Sequence, residues 1–301
     1  MKETIRNAAL AVGFDACGFA RAETLQEDAA FLRSWLDEGM HGDMHFLTQN
    51  FEKRTDPQVL VPGCKTVVVV LMNYFPEKEQ EKHLPRIARY AYSKIDYHTV
   101  IKAKLASLEK IICDTFGQDI ISKEYQHSFV DSAPVLERRW AQKAGLGWLG
   151  KHTQLINPNI GSWTFIGVLL LNKVLENYDT TLPDRCGSCT KCIDACPTQA
   201  LIPGTLDARK CISYLTIEKR GEIPQEFQDK LSGWKTGCDI CQEVCPWNHK
   251  KAIPHHHSEL APIEELFYWN ENQWHEADME SIRQIFGKSA IIRSLKRKQQ
   301  L

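Results

Sequence analysis

Eight cysteines crowd the stretch from residue 186 to residue 245, and their spacing is the plainest chemical statement in the chain. The string CGSCTKCIDACP sets Cys186, Cys189, Cys192 and Cys196 apart by two, two and three residues, with Pro197 following. That run wraps three thiolates around a [4Fe–4S] cubane and sends the fourth to a neighbouring cluster. A complementary set follows as Cys211 and then CDICQEVCP, which adds Cys238, Cys241 and Cys245 ahead of Pro246. By the same exchange, one cluster takes Cys186, Cys189, Cys192 and Cys245, and the other takes Cys196, Cys211, Cys238 and Cys241. Paired zinc ribbons are the alternative, yet a tetrahedral zinc site has no use for the two Cys-Pro endings. No Cys-x₃-Cys-x₂-Cys run leaves an iron open, so the clusters relay electrons and the substrate chemistry belongs elsewhere.

Cys211 stands 27 residues before Cys238, and the insertion between them holds SYLTIEKRG. These residues are expected to lie beside the cluster, where they would cover a docked cofactor. In the N-terminal part, residues 129–156 (FVDSAPVLERRWAQKAGLGWLGKHTQLI) combine a strand end, a polar turn, a helix opened near Pro134, and a glycine-rich segment. Asp131 at the strand end would serve as a proton donor if an apolar, cofactor-lined cavity raised its pKa. Equally, Asp131 and Ser132 would simply start the helix. Gly145, Gly147 and Gly150 lack the strand and helix of a dinucleotide fold and read better as a tight loop against a bulky cofactor. Tyr97 and His98 open an amphipathic helix, either as a proton relay or as helix-start hydrogen bonds. His255, His256 and His257 read as a polar surface loop. Cys17, Cys64 and Cys113 sit singly in apolar patterns and read as small buried hydrophobes.

Helical periodicity covers residues 4–14, 25–38 and 99–116, and strand patterns cover 66–72, 129–131 and 165–171. Strands and helices do not alternate strictly, which argues against a doubly wound sheet. The expectation is an α+β chain: a catalytic domain with a mixed or antiparallel sheet over 1–180, a bacterial-ferredoxin-like two-cluster domain over 181–250, and a helical basic tail over 251–301. Among 301 residues, 43% are hydrophobic and 25% charged, and the net charge is −1, so nucleic acid would be met by a local basic patch. In the tail, Lys296, Arg297 and Lys298 form such a run, and a frayed solvated terminus is its bland alternative. The apolar runs are too short to span a bilayer, and MKETIRNAAL is no signal peptide. A cytoplasmic monomer without membrane contact is expected; there, thiols stay reduced and crowded cysteines bind metal.

Taken in order, the segments EKRTDPQVLVPGCKTVVVV, RYAYSKIDYHTV, DSAPVLERRWAQKAGLGWLGKHTQLI, the eight cysteines with CISYLTIEKRG, and SAIIR span nearly the whole chain. In these the chain resembles the epoxyqueuosine reductases, cobalamin-dependent iron–sulfur enzymes of queuosine biosynthesis. The resemblance implies cobalamin and two [4Fe–4S] clusters, fed by a low-potential electron donor, and reduction of the epoxide of epoxyqueuosine at the tRNA wobble position to queuosine and water. It implies that Asp131 is the proton donor, supported by Tyr97 and His98. It further implies that Arg54, Tyr97, Asp131, Gln154 and Ser213 line the cobalamin pocket and that Lys219 and Arg220 face tRNA. Two departures stand out. Asp43-Met44-His45 begins an Asp-x-His-x-x-Gly motif, but Thr48 replaces the glycine, so cobalamin rests on the resemblance alone. The C-terminal helical repeats of longer relatives are missing, which leaves tRNA to the core and the basic tail. A reductive dehalogenase shares the plan and is the rival enzyme reading; a ferredoxin-type electron carrier is the rival from another class.

Overall fold

A computed structural model describes residues 1–292. Its centre is a four-stranded sheet built from β1 (Ala16–Arg21), β2 (Thr66–Asn73), β4 (Ser128–Phe129) and β7 (Thr164–Leu171) in the order β1-β2-β7-β4. Every pairing in it is antiparallel. β3 (Arg86–Ile87) lies outside this sheet, as does the hairpin of β5 (Trp148–Leu149) and β6 (Leu155–Ile156).

The unbroken apolar run of β2 follows from cover on both faces. Val68, Val70 and Met72 pack with Ile5, Ile101 and Leu105 of the helices Lys2–Ala11 and Tyr97–Phe116. Val67, Val69 and Leu71 pack on the opposite side with Trp140 and Ala141 of the helix Glu137–Lys143. That last helix starts at Glu137 and not near Pro134, because residues 133–135 are spent on a turn in which Val135 N–H donates to Ala133 O (2.8 Å). Strand β4 likewise ends at Phe129, leaving Asp131 in the loop beyond it.

The cysteine-rich segment is bolted onto this core. β10 (Trp234–Thr236), from the insertion, pairs in parallel with β3, while β8 (Leu201–Ile202) and β9 (Thr205–Leu206) form a hairpin within the segment. Beneath the β3–β10 pair, the buried Arg89 guanidinium meets Asp239 (3.2 Å), Glu243 (2.8 Å) and Glu79 (2.5 Å). An unpaired charge at such depth costs about 3–5 kcal/mol, so these carboxylates are what allow the arginine inside. Asn248 closes a second seam, accepting from Ser162 N–H at 2.7 Å.

Beyond residue 251 the chain does not stand apart. Ile263, Leu266, Trp269, Ile282 and Phe286 form a core with Ile87, Ala91 and Tyr92. Of the three histidines, His256 is exposed as in a surface loop, whereas His257 departs from that expectation: it is buried and its Nε2 lies 2.8 Å from Asp15 Oδ2, just before β1. Lys296, Arg297 and Lys298 lie outside the described residues.

Candidate functional site

The eight cysteines fold into the two sets that the spacing predicts. Cys186, Cys189, Cys192 and Cys245 line one cavity of about 120 Å³, with Trp247, Ile156 and His152 around them. In the second set, the charges of Cys196 and Cys211 both bear on Cys238, and those of Cys211 and Cys238 on Cys241. Burial pushes the thiols of Cys192, Cys211, Cys238, Cys241 and Cys245 up, and neighbouring thiols push most of them further. Buried thiolates held this close need cationic iron among them, so the donor sets fit two [4Fe–4S] clusters. Cys17, Cys64 and Cys113 are buried singly, and burial pushes the first two up to about 12, as expected of inert thiols.

Asp131 stands in the loop after β4, with its side chain 63% exposed, and is met there by groups from a different element. Asp96 caps the helix Tyr97–Phe116, accepting from His98 N–H, and its carboxylate also holds His98 Nδ1 at 2.6 Å. The imidazole therefore presents Nε2 to Asp131 Oδ2 at 3.2 Å, and Tyr97 Oη donates to the same oxygen at 3.0 Å. Tyr97 is fixed by stacking on Phe165, with ring centres 4.2 Å apart. Lying between two carboxylates raises His98 from 6.5 to about 9 despite its burial. The hydrogen bond from His98 in turn holds Asp131 below the usual carboxylate range, against burial.

The expectation of a raised Asp131 concerned a cofactor-lined cavity; in the protein alone, the shifts of the two groups favour the proton on His98. Its folded pKa lies above the unfolded one, so the stability of the His98–Asp131 pair is complete below pH 6.5 and is lost as the pH rises through about 9. Turnover is expected to fall on the alkaline side over the same window, and His98→Gln is expected to abolish that limb. A pH–rate profile of both proteins checks it; an unchanged limb in the variant would remove His98 from the proton path.

Three groups that the sequence reading missed belong to the same neighbourhood. Glu137 Oε1 accepts from Asp131 N–H at 2.5 Å, and burial, then the charge of Asp131, push Glu137 up to about 8. Arg138 donates to Thr153 O at 2.9 Å, and His152 is driven by burial down to about 4, hence neutral. Asp131 is 63% exposed by its side chain, yet burial still weighs on its charge, as it does on Glu137 and Arg138. Water reaches Asp131 while protein atoms crowd it, so its charge is only partly solvated.

For cobalamin, the fit lies in donors left over. Arg54 is buried, bonds Phe46 O through Nη2 (3.3 Å), feels the charge of Glu137, and keeps its Nε unpartnered among the described residues. His152 Nε2 is also buried and unpartnered, while Gln154 N–H donates to its Nδ1 (3.1 Å). Buried donors without a protein partner among the described residues suit the amide-rich rim of a corrin. His152 touches both regions, lining the first cluster cavity and feeling the charge of Arg138.

The remaining candidates are placed less directly. Ser213 lies on the helix Ile212–Ile217, and no hydrogen bond joins it to the Asp131 group among the described residues. Lys219 is partly engaged, 3.6 Å from Asp43, whereas Arg220 is anchored by its backbone to Asp43 (2.9 Å) and exposed. The glycines do not cradle a ligand. A Cβ at Gly147 would meet Ile156 O at 2.3 Å, and one at Gly145, where φ is +71°, would meet Thr180 O at 2.7 Å. They are needed for packing within the protein. No described helix is long and apolar enough to cross a membrane.

Two cysteine sets of cluster type and a proton-bearing carboxylate–imidazole–phenol group in one chain fit an iron–sulfur reductase. Comparison with known proteins narrows the class. Residues 54–132 match the family described as "Epoxyqueuosine reductase QueG, DUF1730", and residues 185–248 match a "4Fe-4S double cluster binding domain". An epoxyqueuosine reductase of Cellulophaga algicola is 43% identical over 293 residues, 97% of this chain and 93% of that protein. One of Leadbetterella byssophila is 46% identical, over 96% and 93% of the two chains. A crystal structure of selenomethionine-labelled epoxyqueuosine reductase superposes with a TM-score of 0.88 at 31% identity, over 99% of this chain and 79% of that one. Another, solved with an epoxyqueuosine-modified tRNA-Tyr stem loop, gives 0.85 at 31%, over 96% and 76%. A reductive dehalogenase, at 18% identity and a TM-score of 0.50, shares the fold alone, over 83% of this chain and 32% of that one. The chain belongs to the epoxyqueuosine reductase family.

Proposed function

We propose that this chain removes the epoxide oxygen of epoxyqueuosine in tRNA, and that Asp131 delivers the protons that let the oxygen leave as water. The observation that carries the assignment of Asp131 is the convergence of Tyr97 Oη and His98 Nε2 on a single carboxylate oxygen of an exposed side chain. The change takes two electrons and two protons: both C–O bonds of the epoxide break, a carbon–carbon double bond forms, and one water departs. The two cysteine sets would hold [4Fe–4S] clusters and the residues around Arg54, His152 and Asp131 a cobalamin, which together supply one-electron relay and a strongly reducing metal centre.

The chain's own part is acid–base and positional. His98 stores a proton, and as charge builds on the departing oxygen it passes that proton over 3.2 Å to Asp131, which hands it on. Tyr97, pushed far above its ordinary pKa by burial and by Asp131, keeps its own proton and holds the carboxylate in place. Two protons are required, so the pair acts twice, reloaded by the water that reaches Asp131. The electrons come from a low-potential one-electron donor.

The tRNA would meet the rim formed by Asp43 and the insertion. Arg220→Ala is expected to weaken tRNA binding and to flatten its dependence on salt by about one unit of log–log slope. Titrations at several salt concentrations check this, and an unchanged slope would take Arg220 off the interface. In a bacterium lacking its own reductase, tRNA accumulates epoxyqueuosine. Expression of this chain is expected to restore queuosine there, and persistence of the epoxide despite a protein with full iron content would refute the reading.

A further inference from the structure

Asp131 reaches its place through a turn that L-residues resist. Its φ is +53°, and Ser132 N–H closes back onto Val130 O at 2.6 Å. A non-glycine residue is kept in that region only where its surroundings over-determine it. The donor that the turn projects, Asp131 N–H, is received by Glu137 Oε1 at 2.5 Å. A carboxylate opening a helix ordinarily faces the free N–H groups of its own first turn. This one reaches six residues back, to the acid itself.

We propose that Glu137 is a positioning residue that latches the Asp131 turn and so fixes the acid's carboxylate against Tyr97 and His98. The proposal rests on the reading of Asp131 as the proton-delivering group. Glu137 is faced by Asp131, Arg138, His98 and Arg54. With Glu137 pushed up to about 8, a proton on this carboxyl group at neutral pH spares the pair a like-charge repulsion while one oxygen still accepts from the turn. Release of the latch frees both the strained φ and the side chain it aims.

Hydrogen–deuterium exchange of the cluster-loaded protein reads the latch directly, because the bonded amide is that of Asp131. In Glu137→Leu, the peptide containing Asp131 is expected to exchange about tenfold faster, while Glu137→Gln, which keeps an acceptor oxygen, stays near wild type. Turnover is expected to fall about 10²-fold in the leucine variant with KM for tRNA unchanged, and to be largely rescued by glutamine. Should leucine prevent cluster uptake, Glu137→Ala gives the same comparison. Adding Glu137→Leu to Asp131→Asn is expected to cost nothing further. Unchanged exchange in the leucine variant, or an undiminished effect in the Asp131→Asn background, would overturn the latch. Full activity of Asp131→Asn alone would instead overturn the reading of Asp131, and the exchange result would still decide whether the latch exists.

Discussion

Asp131→Asn is expected to lower epoxide turnover by about 10²–10⁴-fold while iron content and corrinoid uptake stay as in the wild type. Asparagine preserves the shape of the side chain and an oxygen that accepts from Tyr97 Oη and His98 Nε2, so the turn and its neighbours have little reason to move. What it loses is the capacity to take a proton from His98 and pass it on. His98 should also titrate closer to 6.5, since the Asp131 carboxylate is one of the two that raise it. Single-turnover assays with parallel NMR titration of His98 read both effects. Near-normal turnover would mean that the oxygen is protonated by another group.

A second large effect concerns the exchange of the fourth ligands. Cys245→Ser and Cys196→Ser are each expected to reduce iron from about eight to about four atoms per chain and to stop turnover, because each removes one of two clusters in series. Pairs of variants tell which cluster is lost. Cys245→Ser combined with Cys189→Ser should cost no more iron than either alone, since both thiols face one cavity. Cys245→Ser combined with Cys238→Ser should strip both clusters. The opposite pattern would show that each stretch of sequence binds its own cluster without exchange.

What the sequence made legible follows from what is local in it. The cysteine sets could be read because ligand spacing within a few residues fixes which thiols share a cubane, and the structure gathers them accordingly. The apolar run from Thr66 likewise announces a strand covered on both faces. The acid group was less legible. Asp131 meets Tyr97 and His98 across 34 and 33 residues, a contact made by packing the helix Tyr97–Phe116 against β7, and before the structure only resemblance decided between proton donor and helix start for the aspartate. Glu137 and His152 left no local signal at all: one looks like a helix-starting acid, the other like a polar residue in a glycine-rich loop. The direction of the Asp131 shift in the protein alone was not legible, because the hydrogen bond that outweighs burial comes from His98, 33 residues away. The three glycines were read toward a ligand when the Ile156 and Thr180 carbonyls were what crowded two of them.

The account's central claim is that this chain deoxygenates epoxyqueuosine in tRNA. The direct test is to incubate the anaerobically reconstituted protein with cobalamin, a low-potential reductant and tRNA bearing epoxyqueuosine, then digest the tRNA and weigh its nucleosides by mass spectrometry. Loss of one oxygen from the modified nucleoside, dependent on cobalamin and abolished by Cys241→Ser, is the predicted result. An unaltered nucleoside, from protein with both clusters and bound corrinoid, would contradict it.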